Sequence, residues 1–224
     1  MKVMIGCPVR NRAWILPRYL KALEAMDYPL EAREYCFIVN NSLDSTEDIL
    51  RQFAMYARAP VKIVLVDFDH PGGDKRGEYS FRRLAYLRNL LLNQFMLSAC
   101  SYLFSVDSDI IVPPHALSAL ISHACDIVSA LVPNGELRGG KTVFNILRKE
   151  ENGGYVHITD FPRDKIQAVD VTGAAYLIHK RVIEKGVRYS DLYGAEDIGF
   201  CEEARRLGFT IFCDPRVECE HVMR

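Results

Sequence analysis

The chain has 224 residues, of which 49% are hydrophobic and 25% are charged, and its formal net charge is −1 at pH 7. This balance is typical of a globular protein and excludes a disordered chain. A near-neutral chain has no overall field to draw it to nucleic acid or to an acidic membrane. Any polyanion must therefore be bound by a local cluster of cations, and we predict no nucleic-acid partner.

Cysteine usage and hydropathy predict the compartment. The seven cysteines form no CxxC pair and lie mostly in apolar stretches, which favours buried free thiols in a reducing compartment. The amino terminus lacks the apolar run of a signal peptide, and the most apolar span, residues 90–104, is too short to cross a bilayer. We therefore predict a cytoplasmic protein, either free or peripheral to a membrane, without a transmembrane segment.

Strand and helix patterns alternate through the first half of the chain. Four short apolar runs are typical of strands buried on both faces: residues 3–5, 36–39, 63–66 and 102–104. Three amphipathic stretches between them have helical spacing: residues 14–26, 46–57 and 80–97. Capping side chains at 42–45 and two acids mark the start of the second helix. This alternation predicts a parallel, doubly wound sheet.

The second half of the chain is less regular. We predict the following elements there: a helix from Pro114, strands at 127–132, near 143–148 and 174–178, a helix from about residue 197 that stops at Gly208, and a strand at 210–213. No repeat or linker divides the sequence, so a single domain over residues 1–224 is expected.

Polar residues follow each of the four apolar strands of the first half. These strand ends are Pro8-Val9-Arg10-Asn11, Asn40-Asn41-Ser42, Asp67-Phe68-Asp69 and Asp107-Ser108-Asp109. Because ligands bind at the carboxyl ends of parallel strands, four such ends on one edge predict a binding site. Neither GxGxxG nor GxxxxGK follows strand one, which disfavours a dinucleotide site or a P-loop. The basic, glycine-rich segment 71–77 is either a loop over a phosphate or a plain surface loop.

Asp107 and Asp109 are the sharpest local feature because they lie between apolar runs. Strand alternation allows both carboxylates to project to one side while Ser108 faces away. Uncompensated buried charge is unfavourable, and Mg²⁺ or Mn²⁺, which prefer oxygen ligands, would neutralise it. An acidic turn without a metal is the alternative.

Arg88 falls inside the apolar stripe of its predicted helix, so it needs an anionic partner. It forms either a structural salt bridge to Asp67 or Asp69, or it is a site cation that reaches a nucleotide phosphate or fixes a carboxylate.

Glu196 and Asp197 open the last predicted helix, where backbone amides favour acids and would keep a carboxylate ionised, as a general base requires. His221, which follows Glu218 and Glu220 near the end of the chain, is either structural or a ligand suited to Mn²⁺.

Taken in order, these motifs resemble the GT-A glycosyltransferases, most closely the inverting, metal-dependent glycosyltransferase family 2. The segments that carry the resemblance cover nearly the whole chain in the order expected for that family: residues 7–12, 40–46, 87–89, 104–109, 173–174, 194–197, 214–215 and 221.

The resemblance implies an α/β fold of the GT-A type, a Rossmann-like mixed sheet flanked by helices. It implies a nucleotide-binding half over residues 1–109 and an acceptor-binding half over 110–224. The implied catalytic base is Asp197, and Glu196 and Gly173 would orient donor or acceptor. The implied ligands of Mn²⁺ or Mg²⁺ are Asp107, Asp109 and His221. The implied nucleotide-binding residues are Pro8, Arg10, Asn11, Asn40, Asn41, Asp69, Arg88 and Asp107.

The implied reaction moves a sugar from a UDP- or GDP-sugar to a hydroxyl of an unidentified acceptor, with inversion. Lys75 or Arg76 could screen phosphate charge, and the loops at 133–142 and 151–165 would select the acceptor. That family usually has an aspartate reading the base where this chain has Asn40-Asn41, so the base is either guanine or uracil held through Asp69.

Two alternative functions are open at this point. A sugar-1-phosphate nucleotidyltransferase would want a glycine-rich, basic loop after strand one, and residues 8–11 contain no glycine. A non-catalytic nucleotide-sugar-binding protein is the second alternative, which an intact Asp197 disfavours.

Overall fold

The computed structural model describes residues 1–69, 80–137 and 140–223. The helices in these ranges are α1 (Leu16–Glu24), α2 (Thr46–Tyr56), α3 (Phe81–Leu97), α4 (Ala116–Ser122), α5 (Lys180–Glu184) and α6 (Glu196–Arg206). The strands are β1 (Val3–Val9), β2 (Arg33–Asn40), β3 (Val61–Val66), β4 (Tyr102–Val106), β5 (Ile110–Ile111), β6 (Ile127–Leu131), β7 (Pro133–Glu136), β8 (Thr142–Phe144), β9 (Leu147–Lys149), β10 (Tyr155–His157), β11 (Gln167–Val169), β12 (Ala175–His179), β13 (Ile211–Glu218) and β14 (Glu220–His221). None of the described helices is both long enough and apolar enough to cross a membrane.

One sheet of eight strands forms the centre of the fold, in the order β11-β13-β6-β12-β4-β1-β2-β3. Strands β1 to β4 are parallel, since β1 pairs with β2 and β4, and β2 pairs with β3. Strand β12 runs antiparallel to its two neighbours, β4 and β6. The predicted mixed sheet and the parallel strands of its first half are therefore confirmed.

Side chains on the two faces of the sheet pack into two hydrophobic layers. On one face, Ile5 and Phe37 pack with helices α1, α2 and α4. On the other face, Met4 and Ile38 pack with helices α3, α5 and α6. Because successive residues of a strand point to opposite faces, each central strand contributes to both layers. This explains why the strands are continuous apolar runs.

The second half departs from the predicted elements at two places. The strand expected near 143–148 is broken at Asn145, whose buried amide accepts from Val132 N at 2.8 Å and donates to Gly173 O at 2.9 Å. The last strand is longer than predicted and continues through Pro215. Its ladder with β6 is interrupted between Asp214 and Glu218, so the missing N–H of Pro215 breaks no pair.

The ends of three helices differ slightly from the sequence pattern. Helix α1 is shorter than the predicted 14–26, and α4 begins at Ala116 rather than at Pro114. Ser45 at the start of α2 makes no side-chain cap, and Asp44 Oδ1 instead accepts from Thr46 N at 3.0 Å. The predicted stop of α6 is confirmed, since Gly208 adopts φ +88° two residues after the helix ends.

Candidate active site

The polar ends of β1 to β4 lie at the same edge of the sheet because these four neighbouring strands are parallel. Pro8 and Arg10 are partly buried at the end of β1, and Asn40 is buried at the end of β2. Asp69 is exposed after β3. Lys75 and Arg76, with the rest of the segment 71–77, lie outside the described residues.

Two asparagines shape the rim between these strands. Asn11 and Asn41 adopt left-handed backbone conformations with φ of 50° and 41°, which asparagine tolerates better than most residues. Asn11 Oδ1 accepts from Leu43 N at 2.8 Å, and Asn41 Oδ1 accepts from Phe68 N at 2.9 Å. Asn41 also donates to Phe68 O at 3.2 Å. Both side chains therefore hold adjacent strand ends together.

Arg88 connects the end of β4 to the start of α6. Its Nη2 donates to Asp107 Oδ1 at 2.8 Å, and its Nε donates to Glu196 Oε1 at 2.9 Å. The expected alternative, a salt bridge to Asp67 or Asp69, is wrong, because the guanidinium reaches the end of β4 and the start of α6 rather than the end of β3. These contacts favour the other alternative, in which Arg88 fixes carboxylates of the site.

The Arg88 guanidinium is charged although only 8% of the side chain is exposed. Burial by itself would lower the pKa of Arg88, but Asp107 and Glu196 raise it above its ordinary value. The buried Ser105 hydroxyl accepts a further, longer hydrogen bond from Nη1 at 3.4 Å. All three guanidinium nitrogens thus make hydrogen bonds within the protein.

Asn89, the neighbour of Arg88, positions the segment that leads into α6. Its side chain donates to Tyr189 O at 2.9 Å and accepts from Tyr189 N at 3.0 Å. The Tyr189 ring lies 5.7 Å from the Arg88 guanidinium and stacks on Phe200 with centroids 4.6 Å apart. Arg88 therefore binds Glu196, and Asn89 holds the backbone of Tyr189, whose ring lies beside Arg88.

Asp197 is a partly buried carboxylate next to this clamp. Burial raises the pKa of Asp197 to about 7, and the charge of Glu196 adds to the rise, whereas Arg88 and a 2.8 Å bond from Ile198 N oppose it. The expectation that the helix terminus keeps Asp197 ionised is therefore wrong in sign, because desolvation outweighs the backbone amide.

Gly173 packs directly against the Asp197 carboxylate. A Cβ at position 173 would lie 2.3 Å from Asp197 Oδ2, so any other residue here would have to shift the Asp197 side chain. The next residue, Ala174, has φ of +65°, and its carbonyl accepts from Asp107 N at 2.7 Å. This turn therefore fixes Asp107 and Asp197 relative to each other.

Asp107 and Asp109 are 31% and 22% exposed, while Ser108 between them is buried. The expected strand alternation is wrong here, because the three residues form a turn between β4 and β5 in which Ile110 N donates to Asp107 O at 2.9 Å. Asp109 Oδ2 lies 3.4 Å from Arg12 Nη2. Burial and the charge of Asp107 raise the pKa of Asp109, and Arg12 and His221 oppose this rise.

His221 lies beside Asp109 because β14 pairs antiparallel with β5, and Val222 N donates to Asp109 O at 3.0 Å. Its Nδ1 is 2.8 Å from Pro133 O. A carbonyl can only accept, so Nδ1 donates this hydrogen bond, and Nε2 is the ring nitrogen left for another partner.

The structure offers a smaller donor set for a divalent metal than the three ligands expected. No group of three or more His, Cys, Asp or Glu side chains in the described ranges is arranged to hold an ion, so Asp107, Asp109 and His221 do not form such a set. Asp109 and His221 offer one carboxylate and one imidazole, both of which Mn²⁺ accepts.

A cavity of about 550 Å³ is lined in part by Pro133, the residue whose carbonyl contacts His221. Both loops predicted to select the acceptor contribute to it, through Glu136 and Lys141 from one and Arg163 from the other. The Arg163 guanidinium lies 4.7 Å from the Phe144 ring centroid, and its Nη1 donates to Glu218 at 3.1 Å.

Sequence reasoning missed three residues of this site. Arg12, Asn145 and Tyr189 each act through a partner that is distant in the chain, namely Asp109, Gly173 and Arg88 respectively. A polar residue between apolar neighbours was the available signal for Asn145. Nothing local marks the other two.

Comparison with known proteins gives one family match and several structural matches. The model of the Anp1 family matches residues 1–142. Procollagen-lysine,2-oxoglutarate 5-dioxygenase 2 from Homo sapiens is 26% identical over 229 residues, which is 96% of this chain. The chain spans only 29% of that relative's length.

Two solved structures show the fold. GalNAc-T7 with UDP, GalNAc and Mn²⁺ matches with a TM-score of 0.72 at 13% identity, covering 100% of this chain and 44% of that one. The mannosyltransferase PcManGT from Pyrobaculum calidifontis, with GDP-Man and Mn²⁺, has a TM-score of 0.63 at 17% identity, covering 98% and 56% of the two chains. The fold is therefore of the GT-A type.

Replacing Arg88 by methionine should lower the free energy of unfolding by about 3–5 kcal/mol, because Asp107 and Glu196 lose their buried counter-charge. Urea denaturation measures the change. Arg18→Met is the matched control, since it breaks an ion pair with Glu220 that is more than half exposed and should lose about 1 kcal/mol or less.

Adding Glu196→Gln to Arg88→Met should recover part of the loss, because one unpaired acid is removed. Equal losses for Arg88→Met and Arg18→Met would show that Arg88 does not hold the site together.

Removing the glycine beside Asp197 should reduce the rate of the reaction at this site. In Gly173→Ala the new Cβ must displace the Asp197 carboxylate, so we expect kcat for donor turnover to fall by about 100-fold, with donor KM nearly unchanged. Gly154→Ala is the control, since its Cβ would meet only the side chains of Asn152, at 3.0 Å, and Glu150, at 3.8 Å. A Gly173→Ala protein with the native kcat would contradict the packing described here.

Proposed function

The chain belongs to the Anp1 family of GT-A-like mannosyltransferases, and on this basis we propose that it moves a sugar from a nucleoside diphosphate sugar to an acceptor hydroxyl with inversion. The observation that carries the proposal is the Asp197 carboxylate, partly buried with a pKa of about 7 at the edge where the strand ends meet. A general base works best when its pKa lies near the working pH.

Asp197 is proposed to accept the proton of the acceptor hydroxyl. As the hydroxyl oxygen bonds to the anomeric carbon from the face opposite the diphosphate, the bond to the diphosphate breaks and its electron pair leaves with that group. Attack from the opposite face inverts the anomeric centre. Gly173 would let the carboxylate approach the hydroxyl closely, and Glu196, held by Arg88, would orient sugar hydroxyls.

Asp109 and His221 are the residues proposed to hold Mn²⁺ or Mg²⁺, with Asp107 assisting from its position on Arg88. A bound divalent cation supplies positive charge against the departing diphosphate. Mn²⁺ in the structures of GalNAc-T7 and PcManGT supports this assignment by analogy of fold.

The donor is proposed to be a UDP- or a GDP-sugar, because GalNAc-T7 binds UDP and PcManGT binds GDP-Man on the same fold. Pro8, Arg10, Asn11, Asn40, Asn41 and Asp69 are proposed to line the nucleotide. The acceptor is proposed to approach from the cavity beside Pro133, whose lining includes charges of both signs.

The name of the human relative describes a dioxygenase, but most of that protein lies outside the match, so no dioxygenase activity is proposed for this chain. The cytoplasmic location stays a prediction.

Asp197→Asn should abolish transfer while leaving nucleotide binding intact, because the amide cannot accept the proton. We expect kcat to fall by about 10²–10⁴-fold, with the dissociation constants of UDP and GDP changed by less than about twofold. Donor hydrolysis with Mn²⁺ measures turnover when no acceptor is known. Glu202→Gln, on the same helix and paired with Lys149, is the matched control. Native turnover by Asp197→Asn would exclude Asp197 as the base.

The rate should depend on pH through the same carboxylate. Below its pKa of about 7, Asp197 holds a proton and cannot take another, so kcat should rise about tenfold per pH unit up to pH 7 and then level off. A rate that is flat between pH 5 and 8, or that falls as pH rises, would contradict this role.

A further inference from the structure

Each carboxylate of Asp107-Ser108-Asp109 faces its own arginine. Arg88 Nη2 lies 2.8 Å from Asp107, and Arg12 Nη2 lies 3.4 Å from Asp109. The proposed function assigns a task to Arg88 but none to Arg12, although Arg12 is the cation in contact with the acid proposed to bind the metal.

Arg12 is held in place by the loop that carries it. Its backbone N–H donates to Thr46 Oγ1 at 2.7 Å, which ties the loop to the first residue of α2. Its Nη1 donates to Arg10 O at 3.3 Å, and only 17% of the side chain is exposed. The guanidinium is therefore positioned beside Asp109 rather than extended into solvent.

The two arginine–aspartate pairs differ in strength. Arg88 makes three hydrogen bonds within the protein, two of them shorter than 3.0 Å. The contact of Arg12 with Asp109, at 3.4 Å, is longer than the 2.7–2.9 Å typical of a charge-assisted hydrogen bond. The contact between Asp109 and Arg12 is therefore easier to break than the contact between Asp107 and Arg88.

A guanidinium and a divalent cation compete for the same carboxylate. Both carry positive charge, and in a partly buried site they repel each other at short range. An anion that binds together with the metal, such as the diphosphate of a nucleotide, would offset this repulsion because Arg12 could pair with it.

We propose that Arg12 is the resting counterion of Asp109, displaced from it by the metal and transferred to the diphosphate of the donor. This inference rests on the proposed function, because it presumes a metal at Asp109 and a nucleoside diphosphate beside it. Arg12 would then have opposite effects on two affinities: it weakens metal binding to the free protein and strengthens nucleotide binding.

Two titrations on the full chain test this. Mn²⁺ binding without nucleotide is measured by electron paramagnetic resonance of the free ion, and UDP and GDP binding without metal by calorimetry in EDTA. We expect Arg12→Gln to bind Mn²⁺ about tenfold more tightly than the native chain and the better nucleotide about tenfold more weakly. Arg12→Lys, which keeps the charge, should resemble the native chain in both titrations.

Arg18→Gln is the matched control, because it removes an arginine paired with Glu220, next to His221, without touching Asp109. It should change neither affinity. If Arg12→Gln leaves Mn²⁺ affinity unchanged, or weakens both affinities together as a misfolded loop would, the inference is overturned while glycosyl transfer by Asp197 stands. If neither the native chain nor Arg12→Gln binds Mn²⁺ while the donor is still hydrolysed, both the inference and metal assistance fail.

Discussion

The arrangement of the site depends on one buried cation, Arg88, which binds acids from two distant parts of the chain. Glu196 lies 108 positions away from Arg88 in sequence, and Asp107 lies at the end of a different element. Without this guanidinium, the end of β4 and the start of α6 would bring acids together at one edge of the sheet with little to offset their repulsion. With it, the two elements are joined, and the Gly173-Ala174 turn closes the same junction from the other side.

The same cation explains why neighbouring carboxylates can have different tasks. Arg88 makes direct hydrogen bonds to Asp107 and Glu196, and Arg12 contacts Asp109. Asp197 has no such bond to an arginine among its described contacts and lies against Gly173 and Glu196. Burial and a neighbouring acid then raise the pKa of Asp197 to about 7, which suits proton transfer. The site thus contains three carboxylates that contact an arginine, namely Asp107, Glu196 and Asp109, and one carboxylate, Asp197, that can titrate.

The parts of this account that the sequence predicted are those with a local signature. The spacing of hydrophobic residues identified the parallel strands and helix α3. Because parallel strands end at the same edge of a sheet, their polar ends were then expected to lie together. The position of Arg88 inside an apolar stripe predicted a buried anionic partner. Its actual partners could not be predicted, because they lie on β4 and α6, which only the tertiary fold brings to Arg88.

The parts that sequence reasoning missed are set by tertiary contacts. The pKa of Asp197 was expected to be held down by the helix terminus, a local effect, but desolvation by the packed turn at Gly173 is larger. Arg12 stands in an exposed-looking polar run, and only the fold brings it to Asp109. The Asn145 amide replaces backbone pairing across a break that a period-2 pattern cannot show.

The most direct test of the central claim is a titration of the Asp197 carboxyl carbon by ¹³C NMR, with the resonance assigned through Asp197→Asn. We predict a midpoint near pH 7, as expected for a desolvated carboxylate beside Glu196 that Arg88 does not neutralise by direct contact. A midpoint near the ordinary aspartate value of about 4 would contradict the account, since Asp197 would then be a solvated surface acid.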